Sequence, residues 1–203
     1  RHVTTLSVFT SDDMRRVCTR ISHEIIERNN GAHDLVLLGL VRRGALIASR
    51  ISRNISEIEN TEVPVFSLDI TDLRDDRENL ESSEVKNYKI DDIASITPDI
   101  APKFPPLLSS ESNQDFSKSH IVLVDDVLFT GRSIRAAMDS ISRISRPSRV
   151  QLAVLIDRGH RELPIRADFI GKNLPTKSSE RVNVLMEEID GIDRVDVERA
   201  KLP

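Results

Sequence analysis

The amino-acid sequence predicts an α/β fold with a doubly wound, mostly parallel sheet. Short apolar runs, which are typical of buried parallel strands, alternate along the chain with segments of helical periodicity. The length of 203 residues suits a single domain. A content of 38% hydrophobic and 31% charged residues is typical of a folded globular chain, and the apolar runs are too short to cross a bilayer.

The first predicted element is a helix from about Ser11 to Asn29. Ser11 is a suitable N-cap, and the two aspartates that follow it suit the positive end of the helix dipole. An Asn-Asn-Gly sequence that ends at Gly31 is a typical stop signal. The apolar residues that recur at helical spacing are Met14, Val17, Ile21 and Ile25.

The elements that follow alternate in type, as a doubly wound sheet requires. Further helices are predicted from Gly44 to about Ile58 and from Gly131 to about Ile144. Right-handed crossovers and short connections are expected between such elements. Strands are predicted at Leu35–Gly39, Val63–Asp69, Ile121–Asp125 and Val150–Ile156, with shorter ones around Asp168–Ile170 and Val182–Ile189.

A long excursion over about residues 70–118 interrupts this alternation. From Asp69 to Asp92 the chain holds nine acidic and four basic residues, and a stretch rich in proline and serine follows. We interpret the excursion as a long flexible loop that is either functional or disordered. We therefore expect one domain over residues 1–203, with a core at about 11–156 and a tail at about 157–190.

The composition excludes several classes of protein. The single cysteine, Cys18, excludes an intrachain disulfide framework and disfavours a structural zinc site. An aromatic content of 3% disfavours a stacking platform for single-stranded nucleic acid, and a net charge of −4 requires any nucleic-acid surface to be a local patch. No signal peptide is visible, so we expect a cytoplasmic protein. Because the chain begins with Arg1, removal of a leader and a location in an organelle are both left open.

The segment from Ile121 to Ser133 is the most informative part of the chain. Four apolar residues form a strand, and Asp125 and Asp126 stand where it leaves the sheet. Thr130-Gly131-Arg132-Ser133 then opens a helix, whose N-terminal amides suit a phosphate. The two acids repel a phosphate but accept hydrogen bonds from sugar hydroxyls. The segment therefore predicts a sugar-phosphate site at the carboxyl end of a strand.

This segment resembles the phosphoribosyl-pyrophosphate (PRPP) signature of type I phosphoribosyltransferases. The alternative is an ordinary strand–turn–helix with surface acids. A second loop, Gly39–Gly44, resembles the family's pyrophosphate loop, which often contains a cis peptide bond without proline. The alternative there is a plain turn with solvated arginines. The resemblance assigns PRPP binding to Arg42, Arg43, Gly44, Val127, Leu128, Phe129, Thr130, Gly131, Arg132 and Ser133.

Three longer stretches resemble the PyrR group, whose members are bifunctional pyrimidine-operon attenuators that also act as uracil phosphoribosyltransferases. These stretches are Thr19–Arg28, Asp69–Asp76 and Asp157–Pro175. The last of them, DRGHRELPIRADFIGKNLP, is long and distinctive. The resemblance implies a type I phosphoribosyltransferase fold with a small C-terminal hood and a long flexible loop.

The resemblance also implies a reaction. Uracil and PRPP form uridine monophosphate (UMP) and pyrophosphate, with Mg²⁺ held through PRPP and no metal ligand of the protein assigned. Asp125 and Asp126 are assigned to the ribose hydroxyls, and Arg74 to a loop that closes over the pyrophosphate. Asp157 and Arg158 are assigned to the base. A solvated loop residue is the alternative for Arg74, and an ion pair that stabilises the fold is the alternative for Arg158.

A basic surface is the second predicted site. The side of the first helix opposite its apolar face is mostly basic, and Ile141 to Arg181 holds nine basic and four acidic residues. The resemblance implies that this surface binds a folded leader of pyrimidine-operon messenger RNA. It also implies that uridine nucleotides such as UMP or UTP raise the affinity, and that a homodimer or higher homo-oligomer joins two such surfaces. The residues assigned to RNA are Thr19, Arg20, His23, Arg28, His160, Arg161, Arg166 and Lys172.

Three functions stay open at this point. The first is a uracil phosphoribosyltransferase that also binds RNA. The second is an RNA-binding regulator with vestigial activity, which the intact acid pair and Arg74 disfavour. The third is an enzyme that retains the RNA-face residues by descent. A purine or orotate enzyme of the same fold would need different residues in its hood.

Overall fold

Five parallel strands form the central sheet of the computed structural model, which describes residues 3–70, 103–108 and 114–200. In chain order the elements are β1 (Val3–Phe9), α1 (Ser11–Asn29), β2 (Leu35–Leu40), α2 (Arg43–Glu59), β3 (Val65–Leu68), β4 (His120–Leu128), α3 (Arg132–Ile144), β5 (Arg149–Asp157), β6 (Phe169–Asn173), β7 (Arg181–Leu185), α4 (Glu187–Asp190) and β8 (Arg194–Ala200). The central sheet has the order β3-β2-β4-β5-β6, which places β4 in its middle.

Helices cover both faces of this sheet. On β4, Val122 and Val124 belong to a buried cluster with residues of α1 and α2. Ile121 and Leu123, which alternate with them, belong to a second cluster with residues of α3. Because successive side chains of a strand point to opposite faces, the apolar run of β4 is buried on both sides. The predicted doubly wound, parallel sheet is confirmed.

The N-cap of α1 is Thr10, so the prediction of Ser11 was wrong by one residue. The Thr10 hydroxyl accepts a hydrogen bond from the Asp13 amide at 3.3 Å, and the Asp13 carboxylate accepts one from the Thr10 amide at 2.9 Å. This reciprocal capping box satisfies two backbone donors at once. The Ser11 hydroxyl instead donates to the backbone oxygen of Asp193 at 2.9 Å, and so ties α1 to the C-terminal part of the chain.

β4 continues beyond its predicted end. The sequence predicts a strand over Ile121–Asp125, whereas the observed strand ends at Leu128. Val127 and Leu128 pair with Ile156 and Asp157 of β5. The extension exists because β5 is equally long and offers partners for Val127 and Leu128.

A second, antiparallel sheet of order β1-β8-β7 joins the two ends of the described chain. Val195 and Val197 of β8 are buried, and Val195 extends the core that α1 and α2 cover. The sequence pattern predicts β7 but not β1, α4 or β8. The predicted strand at 182–189 is wrong in its second half, because Glu187–Asp190 forms a helical turn that ends at Gly191 with φ of 72°.

Part of the predicted excursion docks on β3. The Ser67 amide donates to the Pro106 oxygen and the Leu108 amide donates to the Ser67 oxygen, each at 2.8 Å. Leu108 and Phe116 are buried in the cluster that contains α3. Residues 71–102 and 109–113, with Arg74 among them, lie outside the described residues. None of the described helices is long and apolar enough to cross a membrane.

Gly171 on β6 permits α1 to pack closely on the sheet. A Cβ atom at this position would lie 2.3 Å from the Leu155 carbonyl oxygen and 2.8 Å from Cγ1 of Val17. We expect Gly171→Ala to lower the free energy of unfolding by about 1–3 kcal/mol, because the extra methyl group overpacks the interface. Urea unfolding measures the change. Ser178→Ala, in an exposed loop, is the control, and equal stability of the two variants would contradict this account.

Candidate active site

The two aspartates of β4 lie where this strand extends beyond one of its two neighbouring strands. Pairing with β2 ends at Gly39 opposite Val124, whereas pairing with β5 continues to Leu128. Asp125 and Asp126 are therefore no longer flanked by β2, and both are half-buried. One oxygen of each carboxylate accepts a hydrogen bond from the amide of the next residue, at 2.9 Å and 2.8 Å. These bonds hold both acids close to the backbone at the open edge of the strand.

The phosphate turn, residues 129–133, joins β4 to α3. Gly131 has a φ of 94°, a left-handed conformation that favours glycine. The Arg132 amide donates to the Thr130 hydroxyl at 3.3 Å. In the part of the chain that the structure describes, the amides of Phe129, Thr130 and Gly131 donate to no protein acceptor. The N-terminus of α3 therefore carries backbone donors that an anion can occupy.

A bracing loop, residues 158–166, supports the phosphate turn from the protein side. The Thr130 carbonyl accepts hydrogen bonds from the amides of Glu162 and Leu163, at 3.0 Å and 3.2 Å. Nε of Arg132 donates to the Glu162 carboxylate at 2.6 Å. Arg132, predicted to bind PRPP, therefore has its guanidinium paired with the bracing loop.

The Arg161 side chain connects the bracing loop to two other parts of the site. Its guanidinium donates to the carbonyl oxygens of Phe129 and Ile165, each at 2.8 Å, and to the Asp157 carboxylate at 2.5 Å. The side chain of Ile165 in turn faces Gly131, at which a Cβ would lie 3.3 Å away. Arg161 thus joins the phosphate turn, the end of β5 and the bracing loop.

The pyrophosphate loop, residues 39–44, meets β4 beside the acids. The peptide bond between Val41 and Arg42 is cis, as the resemblance implies. A Cβ at Gly44 would lie 2.5 Å from the carbonyl oxygen of Val124 and 3.1 Å from the Cα of Asp125. This close contact between the loop and β4 therefore requires glycine. Nε of Arg42 is buried and has no hydrogen-bond acceptor within the described ranges. The two loops therefore share one edge of the sheet.

Two arginines of α2 contact an acidic turn, residues 187–193, between β7 and β8. Nη2 of Arg43 lies 3.1 Å and 3.2 Å from the two carboxylate oxygens of Asp190. Arg50, which is largely buried, contacts two further carboxylates at distances of 2.6 to 2.9 Å. The partners of Arg50 are Glu188 and Asp193.

Burial and hydrogen bonds shift the pKa of Asp193 in opposite directions. Burial raises this pKa, but hydrogen bonds from Arg50 and from the Glu187 amide lower it by more. The pKa of Asp193 therefore lies below the ordinary value of 3.8. Burial raises the pKa of the neighbouring Cys18 thiol to about 11. Cys18 is therefore a protonated core residue at neutral pH and no nucleophile.

Arg158, predicted for the base pocket, is 8% exposed and packs into the tail. Its Nε donates to the Thr176 hydroxyl at 2.9 Å, and its Nη2 donates to the carbonyl oxygens of Lys177 and Glu180 at 3.0 Å and 2.6 Å. The guanidinium carbon lies 4.1 Å from the centre of the Phe129 ring. The side chain thus links the tail to the phosphate turn.

The predicted RNA residues of α1 are all exposed on the structure. Arg20 also donates to the Gly171 carbonyl oxygen at 2.5 Å and pairs with Glu24 at 2.7 Å, which ties α1 to β6. Lys172, next along β6, is exposed as well. The structure therefore places Lys172 beside the part of α1 that carries Arg20. The residues on α1 are Thr19, Arg20, His23 and Arg28.

The other three predicted RNA residues lie in the bracing loop. Arg166 is exposed, whereas the contacts of Arg161 are internal. His160 is exposed, and its Nε2 contacts the Thr176 carbonyl oxygen while its ring lies edge-on to Phe129 at 5.7 Å. The predicted RNA residues therefore occupy two regions, of which the second adjoins the phosphate turn.

Several residues at the site were not predicted, because their partners are distant in the sequence. Asp190 lies 147 residues from Arg43, and Glu162 lies 30 residues from Arg132. Opposite charge is the one signal the sequence gives for these pairs, and it fits many other pairings equally well.

A comparison with protein families identifies the class of this fold and site. The family described as "Phosphoribosyl transferase domain" matches residues 6–185, which include both loops and both acids. The parallel sheet, the acid pair and the phosphate turn therefore define a phosphoribosyltransferase.

Curated relatives identify the particular family. The chain is 46% identical to "Bifunctional protein PyrR" of Ligilactobacillus salivarius, over 95% of this chain and 97% of the relative. It is 48% identical to the protein of the same name from Pediococcus pentosaceus, over 90% and 92%. The Deinococcus deserti protein is 46% identical, over 94% and 93%. The chain belongs to the PyrR family.

Solved structures agree on the fold. A hypoxanthine phosphoribosyltransferase of Trypanosoma cruzi has a TM-score of 0.63 and 15% identity, with 94% of each chain covered. A hypoxanthine phosphoribosyltransferase of Staphylococcus aureus has a TM-score of 0.56 and 18% identity, over 85% of this chain and 79% of that one. At such identities the likeness shows the fold alone.

The ion pairs of Arg50 generate a prediction about pH. Because the folded-state pKa of Asp193 is depressed, its contribution to stability is full above the unfolded-state pKa of about 4 and is lost as pH falls through the folded-state pKa. We expect Asp193→Asn to cost about 1–3 kcal/mol at pH 7. The difference from the wild type should shrink below pH of about 4. Urea unfolding across pH measures it.

The control for this prediction is Asp139→Asn. Asp139 is an exposed carboxylate in the middle of α3 whose ion pair with Arg135 has a distance of 4.0 Å. Exposed pairs contribute little, so we expect a change of less than about 0.5 kcal/mol at any pH. A difference for Asp193→Asn that stays constant from pH 7 to pH 3 would contradict the assigned role of ionised Asp193.

Proposed function

We propose that this protein is a uracil phosphoribosyltransferase that also binds the leader RNA of a pyrimidine operon. One observation carries the enzymatic half. The two half-buried aspartates at the open edge of β4 stand between the pyrophosphate loop and a turn whose amides have no protein acceptor among the described residues. Membership of the PyrR family supports both halves.

In this proposal each loop holds a different part of PRPP. The 5′-phosphate occupies the amides of the phosphate turn, where Thr130 and Ser133 add hydroxyl donors. The ribose hydroxyls donate to Asp125 and Asp126. The diphosphate lies against the pyrophosphate loop, where Arg42 and Arg43 supply positive charge. The buried Nε of Arg42 fits this role, because an unpaired donor costs about 1–3 kcal/mol until an acceptor reaches it.

The reaction replaces one bond at C1 of the ribose by another. The bond from C1 to the diphosphate oxygen breaks, a bond from C1 to N1 of uracil forms, and the N1 proton leaves to solvent. Positive charge develops on the ribose, and the carboxylates of Asp125 and Asp126 stabilise it. Holding the two reactants in one orientation supplies much of the remaining rate enhancement.

The residues at the site fit a metal ion that is held by the substrate. Among the described residues, no group of three or more His, Cys, Asp or Glu side chains is arranged to hold a metal ion. We therefore propose that Mg²⁺ is bound through the oxygens of PRPP rather than by the protein alone. When bound, Mg²⁺ neutralises charge on the diphosphate leaving group.

Two further parts of the site belong to the proposal. Arg74, outside the described residues, closes over the diphosphate. At the base end, Asp157 and the backbone after it present groups to uracil, which offers two carbonyl acceptors and N–H donors. The Arg158 side chain supports this region through its bonds to the tail. It therefore acts on the base pocket through the position of the backbone.

The RNA surface of the proposal consists mainly of exposed side chains. Thr19, His23, Arg28 and Lys172 on α1 and β6 are exposed, as are Arg166 and His160 in the bracing loop. Arg20 and Arg161 contribute charge, while part of each guanidinium holds the fold. UMP or UTP in the active site raises RNA affinity, and a homo-oligomer joins two copies of the surface.

Because the named relatives are bacterial, we place the protein in the cytoplasm and not in an organelle.

Asp126→Asn tests the enzymatic half. We expect UMP formation from uracil and PRPP to fall on the order of 100-fold in kcat, because a neutral amide no longer stabilises developing positive charge. The fold should be intact by circular dichroism. Asp139→Asn, an exposed carboxylate on α3, is the control and should leave the rate unchanged. Equal rates for the two variants would remove Asp126 from the reaction.

Arg28→Gln tests the RNA half. We expect weaker binding of a pyrimidine-leader RNA in a gel-shift titration, with a salt slope reduced by about 1 and unchanged UMP formation. Arg53→Gln removes an equally exposed helix arginine, from α2, and serves as the matched control. Each titration is done with and without UMP. Identical RNA affinities of the two variants would favour an enzyme without RNA regulation.

A further inference from the structure

The contacts of α2 with the acidic turn link the pyrophosphate loop to the C-terminal part of the chain. Arg43 is the first residue of α2 and follows the pyrophosphate loop directly. Arg50 lies seven residues later, nearly two helical turns on, and so shares a face with Arg43. The acidic turn supplies a carboxylate partner for each of them.

The acidic turn holds its own carboxylates in place. Oδ2 of Asp190 accepts a hydrogen bond from the Met186 amide at 2.8 Å, and Oδ1 of Asp193 accepts one from the Glu187 amide, also at 2.8 Å. The Ser11 hydroxyl donates to the Asp193 backbone oxygen at 2.9 Å. Asp190 is thus a fixed partner for Arg43 and not a side chain free to follow it.

The side chains of the Arg43–Asp190 pair are partly buried. The two side chains are 16% and 22% exposed, whereas the surface pair of Arg15 and Asp12 is 69% and 72% exposed. Screening by solvent is weaker at such a pair, so its geometry is better defined than that of a surface ion pair. Both carboxylate oxygens of Asp190 contact the same nitrogen, Nη2 of Arg43.

We propose that Asp190 is a positioning residue for the pyrophosphate loop, which fixes the Arg43 guanidinium before the diphosphate of PRPP binds. This inference rests on the function proposed above. An arginine that is already ordered loses less conformational freedom when the anion arrives. The acidic turn, pinned to α2 through Arg50, thereby sets the affinity of the site for its phosphorylated substrate without contacting that substrate.

Asp190→Asn and Glu187→Gln test this role as a matched pair. Both remove one negative charge from α4, but the Glu187 side chain is exposed and lies outside the Arg43 contact. With Asp190→Asn we expect the KM for PRPP to rise about tenfold, the factor that loss of one charged hydrogen bond produces. The KM for uracil and the thermal midpoint should stay near those of Glu187→Gln. Asp190→Glu should restore part of the PRPP affinity.

Three results would overturn the inference. Equal KM values for PRPP in the two variants would mean that Asp190 positions nothing. A lower KM for PRPP in Asp190→Asn would mean that Asp190 competes with the diphosphate. Parallel changes in both KM values with a lost thermal midpoint would mean a structural role. Calorimetric titration of the variants with pyrophosphate measures the same effect without turnover, so failure of the wild type to form UMP would count against the proposed function alone.

Discussion

The site depends on unequal pairing of one strand with its two neighbours. β4 keeps β5 as a partner to Leu128 but loses β2 after Val124. Had both ladders ended together, Asp125 and Asp126 would lie beyond the sheet on flexible backbone. Had both continued, β2 would occupy the space that the pyrophosphate loop fills. The overhang holds the acids rigidly on one side and leaves the other side to the loop, which approaches through Gly44.

Hydrogen bonds from the protein to its carbonyl groups hold the phosphate turn in place. Its carbonyl groups face the protein: that of Phe129 accepts from Arg161, that of Thr130 accepts from two amides of the bracing loop, and that of Gly131 accepts from the Arg135 amide. Since buried carbonyls find partners within the fold, the turn is held in one orientation. The amides of Phe129, Thr130 and Gly131 donate to no acceptor among the described residues and keep their capacity for an anion. The bracing loop therefore supports the proposed phosphate site from the protein side.

Local signals predicted most of the fold. The run from Ile121 to Val124 predicted a strand correctly, because a strand buried on both faces has consecutive apolar residues. The helical spacing of apolar residues after Ser11 predicted α1 correctly, because a helix buried on one face repeats them every three or four positions. The signal failed for β1 and β8, whose pairing joins residues at opposite ends of the chain. The acid pair and the glycines could be predicted from the motif. Asp190 could not be, since its role depends on a helix that begins 147 residues earlier.

Charge counting overstates the surface that is available to a polyanion. The basic stretch from Ile141 to Arg181 includes Arg158 and Arg161, whose guanidinium groups bond to backbone carbonyls inside the fold. Such donors have already exchanged water for protein, so a phosphate gains little by approaching them. A polyanion is bound by charges that remain hydrated until it arrives and releases counterions. The effective basic surface is therefore smaller than the composition indicates, and it consists of exposed residues such as Arg28, Arg166 and Lys172.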